Sequence, residues 1–139
     1  MNRRLLVCIS FAVLALTARA ETVVIVNPAN PVAELKREQV IDLFMGGQIN
    51  FPDGNPALPI DHLPDSATRQ GYYHALTGKT VAQINAYWAR LMFTGRASPP
   101  RVLRTPDAVL KAVMENRDAI AYIDDAVLNG KVKVVFRLK

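Results

Sequence analysis

Cysteine is almost missing from this 139-residue chain, and the one present, Cys8, lies close to its start. With no second cysteine there is no internal disulfide and no thiolate cage for a metal, so the fold rests on its apolar core. Histidine is also scarce: His62 and His74 stand twelve residues apart. No His-Glu-x-x-His, no Gly-x-Ser-x-Gly and no complete phosphate loop is present; Gly78-Lys79-Thr80 lacks the upstream glycine of that loop and reads as a turn and a helix cap. The adjacent acids Asp124 and Asp125 have no matching cluster of ligands elsewhere, which favours capping over metal binding. With no activated nucleophile and no metal set, the chain is not expected to be an enzyme or to need a cofactor.

Long hydrophobic runs are missing too. The longest mostly apolar stretch, Leu5 to Leu16, falls short of the ~20 residues needed to span a bilayer. Basic residues precede it in Met1-Asn-Arg-Arg, and small residues follow it in Thr17-Ala-Arg-Ala. This pattern predicts a secretory signal peptide over residues 1–20, cut before Glu21, with residues 21–139 as one domain. Cys8 lies inside the apolar run rather than just after the cut, which argues against a lipid anchor. Loss of Arg3, Arg4 and Arg19 lowers the basic count from 17 to 14 against 12 acids, a net charge of about +2 instead of +5. The remaining basic residues are scattered, so no nucleic acid partner is expected.

What is present is an alternation of strand and helix patterns. Thr22-Val-Val-Ile-Val is an unbroken β-branched run, suited to a strand buried on both faces of a mainly parallel sheet. From Glu34, Leu35, Val40, Ile41, Leu43 and Phe44 fit one helical face that closes at Gly46-Gly47. Leu58-Pro-Ile-Asp-His is a short strand, with Pro59 pointing to an edge position or a first residue. Thr80 can cap a helix carrying Val81, Ile84, Trp88, Leu91 and Met92, and with Tyr87 and Phe93 this helix is expected to be the aromatic centre of the core. Arg96, Arg101 and Arg104 form a basic rim, read as solvated surface or the border of an anion site. Val102-Leu103 suggests a short strand. Thr105-Pro106 starts another helix, Ala119-Ile-Ala-Tyr-Ile is a buried strand, and Val132, Val134, Phe136 and Leu138 alternate along a final half-exposed strand.

The stretch between Leu58 and Tyr73 holds the candidate site. A strand runs into a polar turn and a helix that Asp65 or Ser66 can cap. The free N–H groups of a helix start attract anions, and Ser66, Thr68 and Arg69 add donors at that end. Locally, a capped helix and an anion turn both fit.

In order along the chain, Val23-Val-Ile-Val-Asn-Pro-Ala-Asn-Pro, Gln39-Val-Ile-Asp-Leu-Phe-Met-Gly-Gly, Asp65-Ser-Ala-Thr-Arg and Ala119-Ile-Ala-Tyr-Ile-Asp resemble segments of the periplasmic phosphate-binding proteins of ABC transporters. Trp88-Ala-Arg-Leu-Met-Phe-Thr-Gly and the following Pro-Pro resemble a group of short secreted members of that kind. The resemblance implies an α/β fold: a single three-layer lobe of a type 2 periplasmic-binding protein, its mixed, mainly parallel sheet flanked by helices. It also implies a periplasmic solute-binding role, with phosphate or a similar oxyanion as ligand and a membrane transporter or sensor as partner. By the same resemblance the ligand site comprises Ser66, Ala67, Thr68, Arg69 and His62. Ala67 stands for a glycine of the family's Ser-Gly-Thr, and His62 stands where some members carry arginine. With one lobe instead of two, binding is expected to be weak unless a homodimer completes the site. The alternative is a ligand-free accessory protein that presents the same lobe to a membrane receptor or sensor.

Overall fold

The computed structural model describes Ala12 and residues 21–138; the expected signal peptide otherwise lies outside the described residues. Nine regular elements follow one another: β1 (Thr22–Val26), α1 (Arg37–Met45), β2 (Leu58–Asp61), α2 (Ala67–Thr77), α3 (Val81–Phe93), β3 (Arg101–Val102), α4 (Pro106–Glu115), β4 (Ala119–Asp124) and β5 (Lys133–Arg137). A 3-10 turn at Asp125–Val127 leaves β4, with Asp124 accepting the Ala126 amide, so this acid is a cap as its sequence position suggests.

The five strands form one sheet in the order β3-β2-β4-β1-β5. Strand β2 is parallel to β3 and β4, whereas β1 is antiparallel to β4 and β5. The sheet is therefore mixed and flanked by helices, as expected, but β1 is the strand that runs against the others. An unbroken apolar run records burial on both faces and leaves direction open. Val24 and Val26 face the cluster built on α1, α2 and α3, while Val23 and Ile25 face α4. Three layers result: three helices, the sheet, and one helix.

Local chemistry fixes the helix ends. Gly46 closes α1 at φ +81°, and a Cβ there would lie 2.9 Å from the Trp88 ring. Thr80 and Gln83 form a reciprocal capping box on α3, and Thr105 with Pro106 starts α4. Pro59 is second in its strand and stands at a local edge, as its missing N–H suggests: it pairs with Ile120 in β4, while β3 meets β2 only at Ile60 and Asp61. Two-residue β3 thus leaves Pro59 without a neighbour on that side, where its missing N–H costs nothing.

Two expectations fail. Phe93 is 94 % exposed and Met92 is 57 % exposed, so the end of α3 is not core. Phe93 follows Ile84 by two and a half turns and therefore stands on the opposite face. The aromatic centre is instead Phe44, Tyr72, Tyr73 and Tyr122, with Tyr72 stacked on Tyr122 at 3.6 Å between ring centroids. The simple alternation of β5 also breaks. Val24 pairs with Phe136 and Ile25 with Val134, so Val135 is an extra residue that turns into the core and accepts the Leu35 amide at 2.9 Å.

Candidate functional site

The carboxyl ends of β2 and β4, the beginning of β1 and the N-terminus of α2 meet along one edge of the sheet. Open α/β sheets bind ligands outside the carboxyl ends of their strands. Ser66 caps α2 by accepting the Arg69 amide at 3.3 Å, and its carbonyl accepts the Gln70 amide. The first-turn amides of Ala67 and Thr68 have no acceptor within the helix. Ala67 and Thr68 themselves line a concavity of about 230 Å³, together with Thr22, Gly71 and Asp124. The start of α2 thus shares this concavity with an acidic residue of β4.

Arg69 does not join them. Its position with Tyr72, Tyr73 and Leu76 puts it on the buried face of α2, and it is 6 % exposed. Its Nε donates to Asp61 Oδ2 at 3.4 Å, its Nη2 donates to Asn85 Oδ1 at 3.0 Å, and its guanidinium lies 5.1 Å from the Tyr73 ring centroid. His62 is buried as well, and its Nε2–H donates to the Tyr122 carbonyl at 2.7 Å. Of the five residues expected at the site, Ser66, Ala67 and Thr68 stand together at the helix start. Arg69 and His62 belong to an interior network.

Asp61 organises that network. Its Oδ2 also accepts the Tyr73 hydroxyl at 2.8 Å, and its Oδ1 accepts the His62 amide at 2.8 Å and the Tyr122 hydroxyl. Four donors therefore converge on one buried carboxylate, which takes up the charge of Arg69 from within the protein. Burial, then the negative charge of Asp61, holds the Tyr73 and Tyr122 phenols well above their ordinary range. Burial also raises Tyr72, followed by the nearby Tyr73. All three stay protonated in neutral solution, and the Tyr73 and Tyr122 hydroxyls donate to the Asp61 carboxylate.

Sequence reasoning missed Asp61, Asn85, Tyr122 and Asp124 as partners in this region. A signal for part of it existed: Arg69 shares helical spacing with Tyr72, Tyr73 and Leu76, which places its charge inward and demands a buried acid. Among the described residues no group of three or more histidines, cysteines or acids could hold a metal, and no helix is long and apolar enough to cross a membrane.

A single α/β/α lobe with an anion-compatible helix start at its strand ends defines the class of fold. Solved structures share it. A protein from Clostridium perfringens described as a phosphate ABC transporter substrate-binding protein, solved with phosphate bound, superposes with a TM-score of 0.67 at 18 % identity over 84 % of this chain and 44 % of its own. An ABC-type phosphate transport receptor from Vibrio cholerae gives 0.66 at 20 % identity over 84 % of this chain and 45 % of its own. The fold is that of a periplasmic-binding-protein lobe, and the chain spans less than half the length of these structures. No family model and no curated protein matches the sequence.

Proposed function

We propose that residues 21–139 form one secreted, periplasmic, non-enzymatic solute-binding domain that holds phosphate or a similar oxyanion at the start of α2, for a membrane transporter or sensor. The observation that carries this reading is the concavity at the strand ends, lined by Ala67 and Thr68 of the first turn of α2, in a fold shared with phosphate-transport proteins. Ser66 shapes the turn, and the hydroxyl of Thr68 adds a donor. Asp124, which also lines the concavity, accepts hydrogen bonds, so a protonated oxyanion such as hydrogen phosphate fits better than sulfate. Arg69 contributes by tying α2 to β2 and α3, with its charge already balanced by Asp61, and His62 by tying the end of β2 to β4. Binding is therefore weak.

Calorimetric titration of the folded mature chain tests this. Phosphate gives heat at millimolar concentration and sulfate gives less. Ala67→Asp abolishes the heat while keeping the helix, because an acid in the first turn suits the dipole and repels the anion. Phosphate heat that survives Ala67→Asp, or no heat from the folded wild type, refutes the site.

A second reading, a ligand-free accessory protein docked to a membrane receptor or sensor, draws support from the exposed Phe93, Met92 and Val102. Under it Phe93→Ser weakens association with that partner, and phosphate has no effect on the association.

A further inference from the structure

We propose that the exposed end of α3, with the loop after it and the edge strand β3, docks this chain on an anionic phospholipid surface. The patch uses no residue of the α2 start.

Charge is spread unevenly along the sequence. Arg69, Lys79, Arg90, Arg96, Arg101 and Arg104 all fall between residues 66 and 106, where none of the twelve acids is found. Arg69 is paired inside the protein with Asp61. Arg90, Arg96, Arg101 and Arg104 are exposed, and the ion pairs among the described residues use other basic side chains, those of Arg69, Lys111 and Arg137. Four guanidinium groups thus face solvent with no acid of the described residues to neutralise them.

Apolar side chains stand among these charges. Phe93 is 94 % exposed, Met92 57 % and Val102 47 %. Arg90 precedes Phe93 by three residues, which makes the two neighbours on the helix surface. Ala89 and Ala86, one and two turns before Phe93, are too small to shield it. Beyond the cap at Thr94, the Arg96 amide donates to the Leu91 carbonyl at 3.2 Å and holds Arg96 beside the last turn. Met92, Pro99, Pro100 and Val102 border one concavity, so the helix end, the loop and the edge strand form a continuous surface. Asp61 borders it too, but it is 3 % exposed and balanced by Arg69. Arg101 and Arg104 flank Val102 where the sheet ends.

A phenyl ring projecting among arginines fits a partner that yields around it. Phe93 and Met92 lose their water on entering the acyl boundary, while guanidinium groups stay level with the lipid phosphates and bind them. Three apolar side chains are few for a protein interface, which buries about 800 Å² on each partner around an apolar centre. A bilayer needs no matching pocket.

The chain from Glu21 onward contains every regular element of the fold and omits the apolar run Leu5 to Leu16, which would itself bind lipid. It is mixed with vesicles of phosphatidylcholine alone and with vesicles carrying about two-fifths phosphatidylglycerol. The expected result is binding to the anionic vesicles only, released by high salt. Arg90→Gln and Arg96→Gln each lower the partition coefficient roughly fivefold. Phe93→Ser lowers it at least about tenfold. Lys131→Gln, next to β5 at the opposite edge of the sheet, changes it by less than about twofold. Phe93→Trp binds as the wild type does and its emission shifts to the blue; the sole native tryptophan, Trp88, is already buried, so the shift belongs to position 93.

No binding by the folded chain, equal binding to both kinds of vesicle, an unshifted Phe93→Trp emission, or a loss from Lys131→Gln as large as that from Arg96→Gln overturns the proposal. Soluble polyglutamate is the remaining arm: a chain that binds it and ignores the vesicles has an acidic polypeptide as its partner, which also overturns docking on lipid. The vesicles hold neither protein nor free phosphate, so the outcome is independent of the oxyanion site and of any receptor.

Discussion

Asp61 and Arg69 show how a residue suited to ligand binding can instead be part of the interior. Both are almost fully buried, and each is the other's ion-pair partner. Removing one charge from such a pair leaves the other uncompensated, which costs about 3–5 kcal/mol. Asp61→Asn, close in shape, is therefore expected to lower the urea midpoint by that free energy with little change in slope. The phenols around Asp61 give a second prediction. Tyrosines of the unfolded chain lose their protons near pH 10, whereas Tyr72, Tyr73 and Tyr122 hold theirs to well above that value. Above pH 10 the unfolded state thus binds fewer protons, and stability falls as pH rises. Below pH 10 this contribution is fully present. Each phenol adds about 1.4 kcal/mol per pH unit in the falling range. Tyrosinate absorbance from these three is expected to rise together with the loss of circular dichroism; a rise while the chain stays folded would contradict the burial argument.

Among the elements, the joint between α1 and α3 is set by one glycine. Gly46 needs a positive φ, and Trp88 occupies the space a side chain would take. Gly46→Ala is expected to cost about 1–2 kcal/mol for the left-handed backbone. Displacing Trp88 adds about 1–3 kcal/mol. Denaturant unfolding followed by Trp88 fluorescence measures the sum, and a red-shifted native spectrum would mark the displaced ring. Such ends were legible in the sequence because they are local: Gly46, Gly78, Thr80 with Gln83, and Thr105 with Pro106 each act within a few residues. The direction of β1 was not legible, since apolar runs look alike in either orientation. The extra residue at Val135 depends on pairing with β1 more than a hundred positions away. At the candidate site, the cap at Ser66 could be read locally. The inward turn of Arg69 required Asp61, Tyr73 and Asn85 to be assembled around it.

At the scale of the whole molecule, the question is what one lobe can do with an oxyanion. The solved structures that share this fold are more than twice the matched length, and the concavity at the start of α2 opens on one side of this chain. A tetrahedral anion held from one side keeps most of its water. Each charge-assisted hydrogen bond gained contributes only about 1.5–3 kcal/mol, and competing water offsets part of it. Two arrangements then differ in a measurable way. If the single lobe binds alone, phosphate affinity is millimolar and independent of protein concentration, and the sedimentation coefficient stays that of a monomer at saturation. If a second copy closes over the ligand, phosphate drives dimer formation, and by linkage its apparent affinity rises with protein concentration. Ala67 is exposed in the first turn, so the anion can reach the start of α2 without a second copy. We therefore expect a monomer with millimolar phosphate affinity. Sedimentation velocity at two protein concentrations, with and without phosphate, decides: a phosphate-dependent dimer would transfer half of the site to the second copy.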